Sequence, residues 1–259
     1  MITYIIRRIL IFIPTLIVIS LLGFIISINA PGDPVEQLVN APETGGSASG
    51  EQSTQKMKQK IRKKLNLHLP IFYFKFSTLA APDTLYKIPD KHHRSMLNKM
   101  VHKNGNWDRV ANYYSRLRKA LQTQANLPID SVAYKHYPET TVNDALNTSR
   151  FAIYNLLEET DDKRITELFD KLNKLYARYG FFEPMRKALK DVKTSYIKLI
   201  SNPQKWKTYV PAFKWYGLEN QYHNWISGII LDFDFGRSYR DQQPVTDRIK
   251  DRFIWSFSL

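Results

Sequence analysis

ILIFIPTLIVISLLGFIISI, residues 9–28, decides the fold, because these twenty residues carry no charged side chain. At about 1.5 Å of rise per residue, a helix of this length covers roughly 30 Å, the thickness of a bilayer's hydrocarbon core. Pro14 and Gly23 would weaken a helix in water, but membrane helices accommodate both. Arg7 and Arg8 stand directly before the run. By the positive-inside rule they hold the N-terminus in the cytoplasm and send residue 29 onward to the other side. A cleaved signal peptide has a shorter apolar core, about 7–15 residues, and a small-x-small cleavage site. Here the exit reads Ile28-Asn29-Ala30, with a large residue where a small one belongs. The segment reads as a retained anchor.

Working outward, the chain has 259 residues, of which 43% are hydrophobic and 13% aromatic, enough to bury a core. The net charge of +14 suits nucleic acid, anionic lipid or acidic partners and selects none of them. The absence of cysteine excludes disulfides, thiolate metal sites and a cysteine nucleophile.

Directly after the span comes Ala30-Pro31-Gly32-Asp33-Pro34. Two prolines fix their own φ and push the preceding residues out of the helical region; glycine and aspartate supply turn conformations and amide acceptors. A plain helix stop explains any one of these residues but not all four. Residues 40–55, NAPETGGSASGEQSTQ, read as a flexible linker. Lys56, Lys58, Lys60, Arg62, Lys63 and Lys64 then mark a basic helix with a solvated face. Residues 68–105 are interrupted by proline and read as irregular.

From residue 106 the periodicity turns helical. Val110, Tyr113, Tyr114, Leu117 and Leu121 recur at helical spacing, followed by Ala145, Ala152, Leu156 and Leu157. The clearest pattern is Ile165, Leu168, Phe169, Leu172, Leu175, Tyr176 and Tyr179, capped by Asp161 or Asp162 and closed by Gly180. Met185, Ala188, Leu189, Val192, Tyr196 and Leu199 follow, stopping near Asn202-Pro203. Short links between such helices predict antiparallel neighbours, a small bundle over 106–200.

Near the end, Tyr222, Trp225, Ile226, Ile229 and Ile230 form an apolar helical face, Phe233 and Phe235 alternate with Asp232 and Asp234, and VTDRIKDRFIWSFSL turns apolar again after Pro244. That last stretch reads as the opening of a second span. Together, YIIRRILIFIPTLIVISLLGFII, Ala30-Pro31-Gly32-Asp33-Pro34, Asp234-Phe235-Gly236-Arg237-Ser238 and Gln243-Pro244-Val245 resemble the dipeptide/oligopeptide-type permease subunit of ABC importers. In that family a short external stretch of the form leucine-glycine-leucine, proline, tyrosine, tryptophan lies between the turn and the glycine-arginine-serine element. This sequence resembles its two halves held apart: Leu65-Asn66-Leu67-His68-Leu69-Pro70, with asparagine at the glycine position, and Gln221-Tyr222-His223-Asn224-Trp225. The resemblance covers residues 1–38, 58–74 and 220–259, less than half the chain.

The expected architecture is therefore mainly α: one N-terminal transmembrane helix, then an external, predominantly helical domain, truncated at the start of a second membrane span. Residues 1–30 hold the cytoplasmic N-terminus and first transmembrane helix, and 31–77 the external turn, linker and basic helix. Residues 78–218 are a helical external insertion, 219–249 an external helix with the Gly-Arg-Ser element, and 250–259 the start of the second span.

The resemblance implies a plasma-membrane permease subunit for peptides or similar small solutes, in a bacterial inner membrane with residues 31–249 extracytoplasmic. It implies a second permease subunit, cytoplasmic ATP-binding subunits and an external solute-binding protein as partners. ATP belongs to the separate ATPase subunits, with no cofactor in this chain. The fragment is not expected to transport alone, nor to be an enzyme. The implied structural or gating residues are Pro31, Gly32, Asp33, Pro34, Gly236, Arg237 and Ser238. A single-pass anchored extracytoplasmic binding or scaffold protein is the alternative.

Other signals point nowhere in particular. His92-His93 lacks a carboxylate partner at ligand spacing and reads as solvated, and His68, His102, His136 and His223 are scattered. Asp232 and Asp234 would share one strand face as an acid–base pair might, but no pocket motif accompanies them. Asp234-Phe235-Gly236 matches the kinase triplet by letters only, and no phosphate loop is present. Lys205-Trp206-Lys207 and Lys214-Trp215-Tyr216 could stack bases, but read better as packing aromatics.

Overall fold

A 28-residue helix, α1 (Ile2–Asn29), opens the chain, and its stretch Thr3–Asn29 is long and apolar enough to cross a membrane. The computed structural model describes residues 2–29, 34–39, 51–128, 134, 136–236 and 243–257. Between residues 3 and 29, only Ser20, Leu21 and Phe24 are withdrawn from the surface. A helix apolar all round that packs on protein at one spot leaves the rest of its surface suited to lipid. Past it lie α2 (Pro34–Val39) and α3 (Glu51–Lys64). Pro34 sits at the first helical position, where its missing N–H costs nothing. The expected linker ends earlier than the sequence suggested, since residues 51–55 already belong to α3.

The chain divides into two compact units, Met1–Lys75 with Trp215–Leu259, and Phe76–Lys214. The division falls across a ribbon of β1 (Phe74–Thr78) and β2 (Pro211–Trp215). Tyr216 N–H bonds to Tyr73 O, and Leu79 N–H to Val210 O. These pairs keep a constant sum of residue numbers, as antiparallel strands do. The sequence expectation put the insertion at 78–218.

Within Phe76–Lys214 the core is built by α4 (Lys91–Asn104), α5 (Trp107–Ala125), α6 (Glu139–Glu158), α7 (Asp162–Arg178) and α8 (Glu183–Ile200). The chief packing is α5 on α8, with α6 and α7 beside them and α4 against α5 and α6. Tyr113, Leu117, Ile153, Leu157, Phe169 and Leu172 are fully buried. The periodic positions read from sequence thus face this core. Asp161 caps α7, accepting from the amides of Lys163 and Arg164. The helix ends at Arg178 through an extended Tyr179, and Gly180 opens a short 3-10 turn instead of supplying a left-handed stop.

Helix α4 corrects the irregular reading of 68–105. Its KHHRSMLNKMVHKN has too many cations to look apolar, yet Met96, Leu97, Met100 and Val101 form a buried stripe. Asp90 caps it through the amides of His92 and His93, and Gly105 closes it at φ 69. A Cβ on Gly105 would meet Gln204 O at 2.1 Å, so only glycine fits there. His93 is half-buried and meets Tyr114 OH at 3.1 Å, so of the two adjacent histidines only His92 stays exposed. Burial first, against the pull of Asp90, holds the His93 imidazole below its usual pKa.

Two buried hydroxyls are matched inside the bundle, Ser149 with Tyr176 at 2.7 Å. Burial pushes Tyr176 up to about 12 even though Ser149 acts the other way. Lys103 pairs with Asp162 at 2.7 Å, and Tyr196 donates to the same carboxylate. These bonds tie α4, α7 and α8 at one end.

Candidate functional site

The candidate site lies in the unit formed by Met1–Lys75 and Trp215–Leu259, where three segments distant in sequence meet. The first is the stretch after α3. Asn66 stands at φ 56, Leu67 N–H reaches back to Arg62 O at 2.9 Å, and Asn66 N–H to Lys63 O at 3.1 Å. This pair of bonds is the Schellman closure, whose left-handed residue is most often glycine and next most often asparagine. Asn66 therefore holds a backbone shape that glycine would equally serve. Arg62 also donates from its guanidinium to Leu67 O.

The second segment begins with Asn220, fully buried, which caps α9 (Gln221–Asp232) by accepting from His223 N–H at 2.8 Å. The Asn220 amide also donates to Gly217 O, and Gly217 takes φ 74. Gln221 N–H then bonds to Pro70 O at 2.9 Å, its side-chain amide to Leu69 O at 2.8 Å, and Tyr222 N–H to Ile71 O at 3.1 Å. Leu65–Pro70 and Gln221–Trp225, read as two halves of one stretch, are thereby stitched together by their backbones.

The third segment is α1. Tyr222 OH meets Ser20 Oγ at 2.8 Å, and Phe24, 6% exposed, lies edge-on to Tyr222 at 5.1 Å and tilted against Trp225 at 5.5 Å. Phe72 and Tyr73 extend the cluster, with centroids 5.2 and 5.9 Å from Tyr222. Tyr73 OH meets His223 Nδ1 at 3.1 Å. Burial, and then the neighbouring Tyr222, raises the Tyr73 phenol above its ordinary pKa. The joint offers ring packing and hydrogen bonds. No group of three or more His, Cys, Asp or Glu among the described residues is placed to hold a metal ion.

Of the seven motif residues expected from sequence, Pro31, Gly32, Asp33, Arg237 and Ser238 lie outside the described residues. Pro34 opens α2. Gly236 takes φ 78, donates to Asp234 Oδ1 at 2.8 Å, and accepts from Val245 N–H, which sets the start of α10 (Val245–Phe257) beside it. Its bonds thus run to Asp234 and Val245, not to α2. Asp232 is the last residue of α9 and Phe233 its left-handed cap at φ 51, so Asp232 and Asp234 do not share a strand face.

The reading of the two basic-aromatic stretches as packing also needs correction, because Trp206 and Trp215 are both exposed. Trp215 still stacks on the rings of Tyr73 and Phe74. What the sequence did not flag is Ser20 with Phe24. The signal available was a serine in an apolar run that also holds Thr15 and Ser27, with an aromatic four residues on and so on the same helix face. Comparison with family models, with curated proteins and with solved structures finds no match for this chain.

Proposed function

We propose that the chain is a membrane-spanning permease subunit of an ABC importer for peptides or similar small solutes. In this reading α1 is the anchor, and residues 76–214 are an insertion on the extracytoplasmic side that contacts the solute-binding protein or the second permease. One observation supports it above the others. Leu69, Pro70 and Ile71 are hydrogen-bonded to Gln221 and Tyr222 although about 150 residues separate them, as an interrupted family element would be. Asn66 in the glycine conformation points the same way. ATP-driven transport would then follow alternating access, each partner binding one state better than the other.

Oligopeptide uptake by cells carrying the intact gene tests this. Deleting the gene should abolish ATP-dependent uptake, and the tagged protein in mild detergent should bring down an ATP-binding subunit with ATPase activity. Unchanged uptake together with a protein that purifies free of any ATPase would refute the reading. It would favour instead a single-pass anchored binding or scaffold protein, which the single span among the described residues would equally serve.

A further inference from the structure

One edge of the unit Phe76–Lys214 gathers exposed aromatic side chains beside lysines. Phe76 and Tyr209 are 75% and 84% exposed, and Leu79, Trp206, Val210 and Phe213 beside them are also open. Hydrogen bonds and ring contacts make them one patch: Leu79 N–H to Val210 O, Ala80 N–H to Lys207 O, and Phe76 against Phe213 at 5.3 Å. Lys205 is exposed, and Lys207 Nζ rides 5.8 Å above the Trp206 ring. The nearby Asp83 is already engaged by Lys214 at 2.7 Å, leaving the cations at this edge in excess.

We infer that this edge is a bilayer-contacting foot that seats in the headgroup region of anionic phospholipid. Three features select lipid over a protein occupant. Tryptophan, tyrosine and lysine together are the chemistry that settles at membrane interfaces, rings at the acyl boundary and ammonium groups among phosphates. Lysines near an anionic surface add electrostatic attraction to it. The covalent chain also tethers the edge. Phe76 is three residues beyond Tyr73 and Phe213 three before Tyr216, and a residue spans at most about 3.5 Å. Tyr73 itself belongs to the ring cluster of Tyr222, which bonds to Ser20 of α1. The foot therefore cannot lie far along the chain from the segment that touches the span. It serves to steady the inserted bundle over the bilayer.

This inference rests on α1 being embedded in lipid, but not on transport. Because the chain has no cysteine, single cysteines can be placed and labelled with an environment-sensitive fluorophore. The complete chain is reconstituted in nanodiscs of phosphatidylcholine with phosphatidylglycerol, with and without a nitroxide-bearing lipid. Tyr209→Cys probes the foot, Ile17→Cys the span, and Lys171→Cys an exposed position on α7.

The expected result is a blue-shifted emission and at least twofold lipid quenching at 17 and 209, with none at 171. Lys205→Glu with Lys207→Glu should remove most of the quenching at 209 and leave that at 17. Quenching at 17 with 209 fully open to aqueous iodide would overturn the foot and leave the anchor standing. Protection of 209 from both lipid and iodide quenchers would overturn it in favour of a protein partner. No lipid quenching at 17 would remove the anchor on which it rests.

Discussion

The bundle within Phe76–Lys214 and the joint around Tyr222 are held by opposite means. The bundle closes around a continuous apolar core from five helices, so its cohesion comes from its own burial in water. The joint buries little: Phe24, Pro70, Tyr222 and Asn220 are buried, and specificity comes from backbone hydrogen bonds and ring edges. Most of α1 remains apolar and uncovered. The first region is a self-sufficient fold, whereas the second is a seam whose remaining surface calls for lipid or further protein.

The contrast breaks most easily in the bundle core. Phe169→Ala removes a ring packed on Tyr196 at full burial, and we expect a loss of about 3–5 kcal/mol in urea unfolding followed by circular dichroism. A loss below about 1 kcal/mol would mean that this core is not what holds the bundle. Gly105→Ala comes next. Its Cβ would run into Gln204 O while the backbone stays left-handed, for an expected cost of about 2–3 kcal/mol on the same assay.

Acid sharpens the comparison. Burial alone would raise Asp162, but the bonds from Lys103 and Tyr196 outweigh it and hold the carboxyl below its usual pKa. Glu159 is held low by the amides of Asp161 and Thr160 and by Arg164. A depressed native pKa contributes stability above the unfolded value, near 4, and loses it as pH falls through the native one. Thermal melting of the bundle should therefore decline slightly as pH falls below about 6.5, where half-buried His93 resists protonation, then hold a plateau and drop further below about pH 4. Asp162→Asn should lower the plateau and flatten that drop. A bundle melting identically at pH 3 and pH 6 would contradict the assignment. The smallest effect is expected at the seam. A double-mutant cycle of Ser20→Ala with Tyr222→Phe, measured by detergent-driven unfolding, should show a coupling of about 0.5–1.5 kcal/mol.

What was legible from sequence follows the same division. Helices α5 to α8 announce themselves because one face of each is buried in water and the apolar period survives. Helix α1 is legible by its length without charge. Helix α4 was hidden because Lys91, Arg94, Lys99 and Lys103 crowd a short helix with few apolar residues, and its cap, Asp90, follows a proline that reads as a break. The Lys205-Trp206-Lys207 stretch misled because tryptophan beside lysine looks the same whether it packs or projects. The seam was only half visible: Leu65–Pro70 and Gln221–Trp225 stand out in the sequence, but the partner face on α1 rests on Ser20 and Phe24, two side chains in an apolar run. Gly236 is explained by its positive φ.

The segment after α3 and the start of α9 should form one joint that does not need the residues between them. Cysteines at Pro70 and Gln221, where the backbones meet at 2.9 Å, with a short thiol cross-linker, test it in the cysteine-free background. The comparison is between the complete chain and one in which residues 76–214 are replaced by an Asn-Gly turn. The account expects efficient intramolecular cross-linking in both proteins; a cross-link that disappears when the bundle is removed would contradict it.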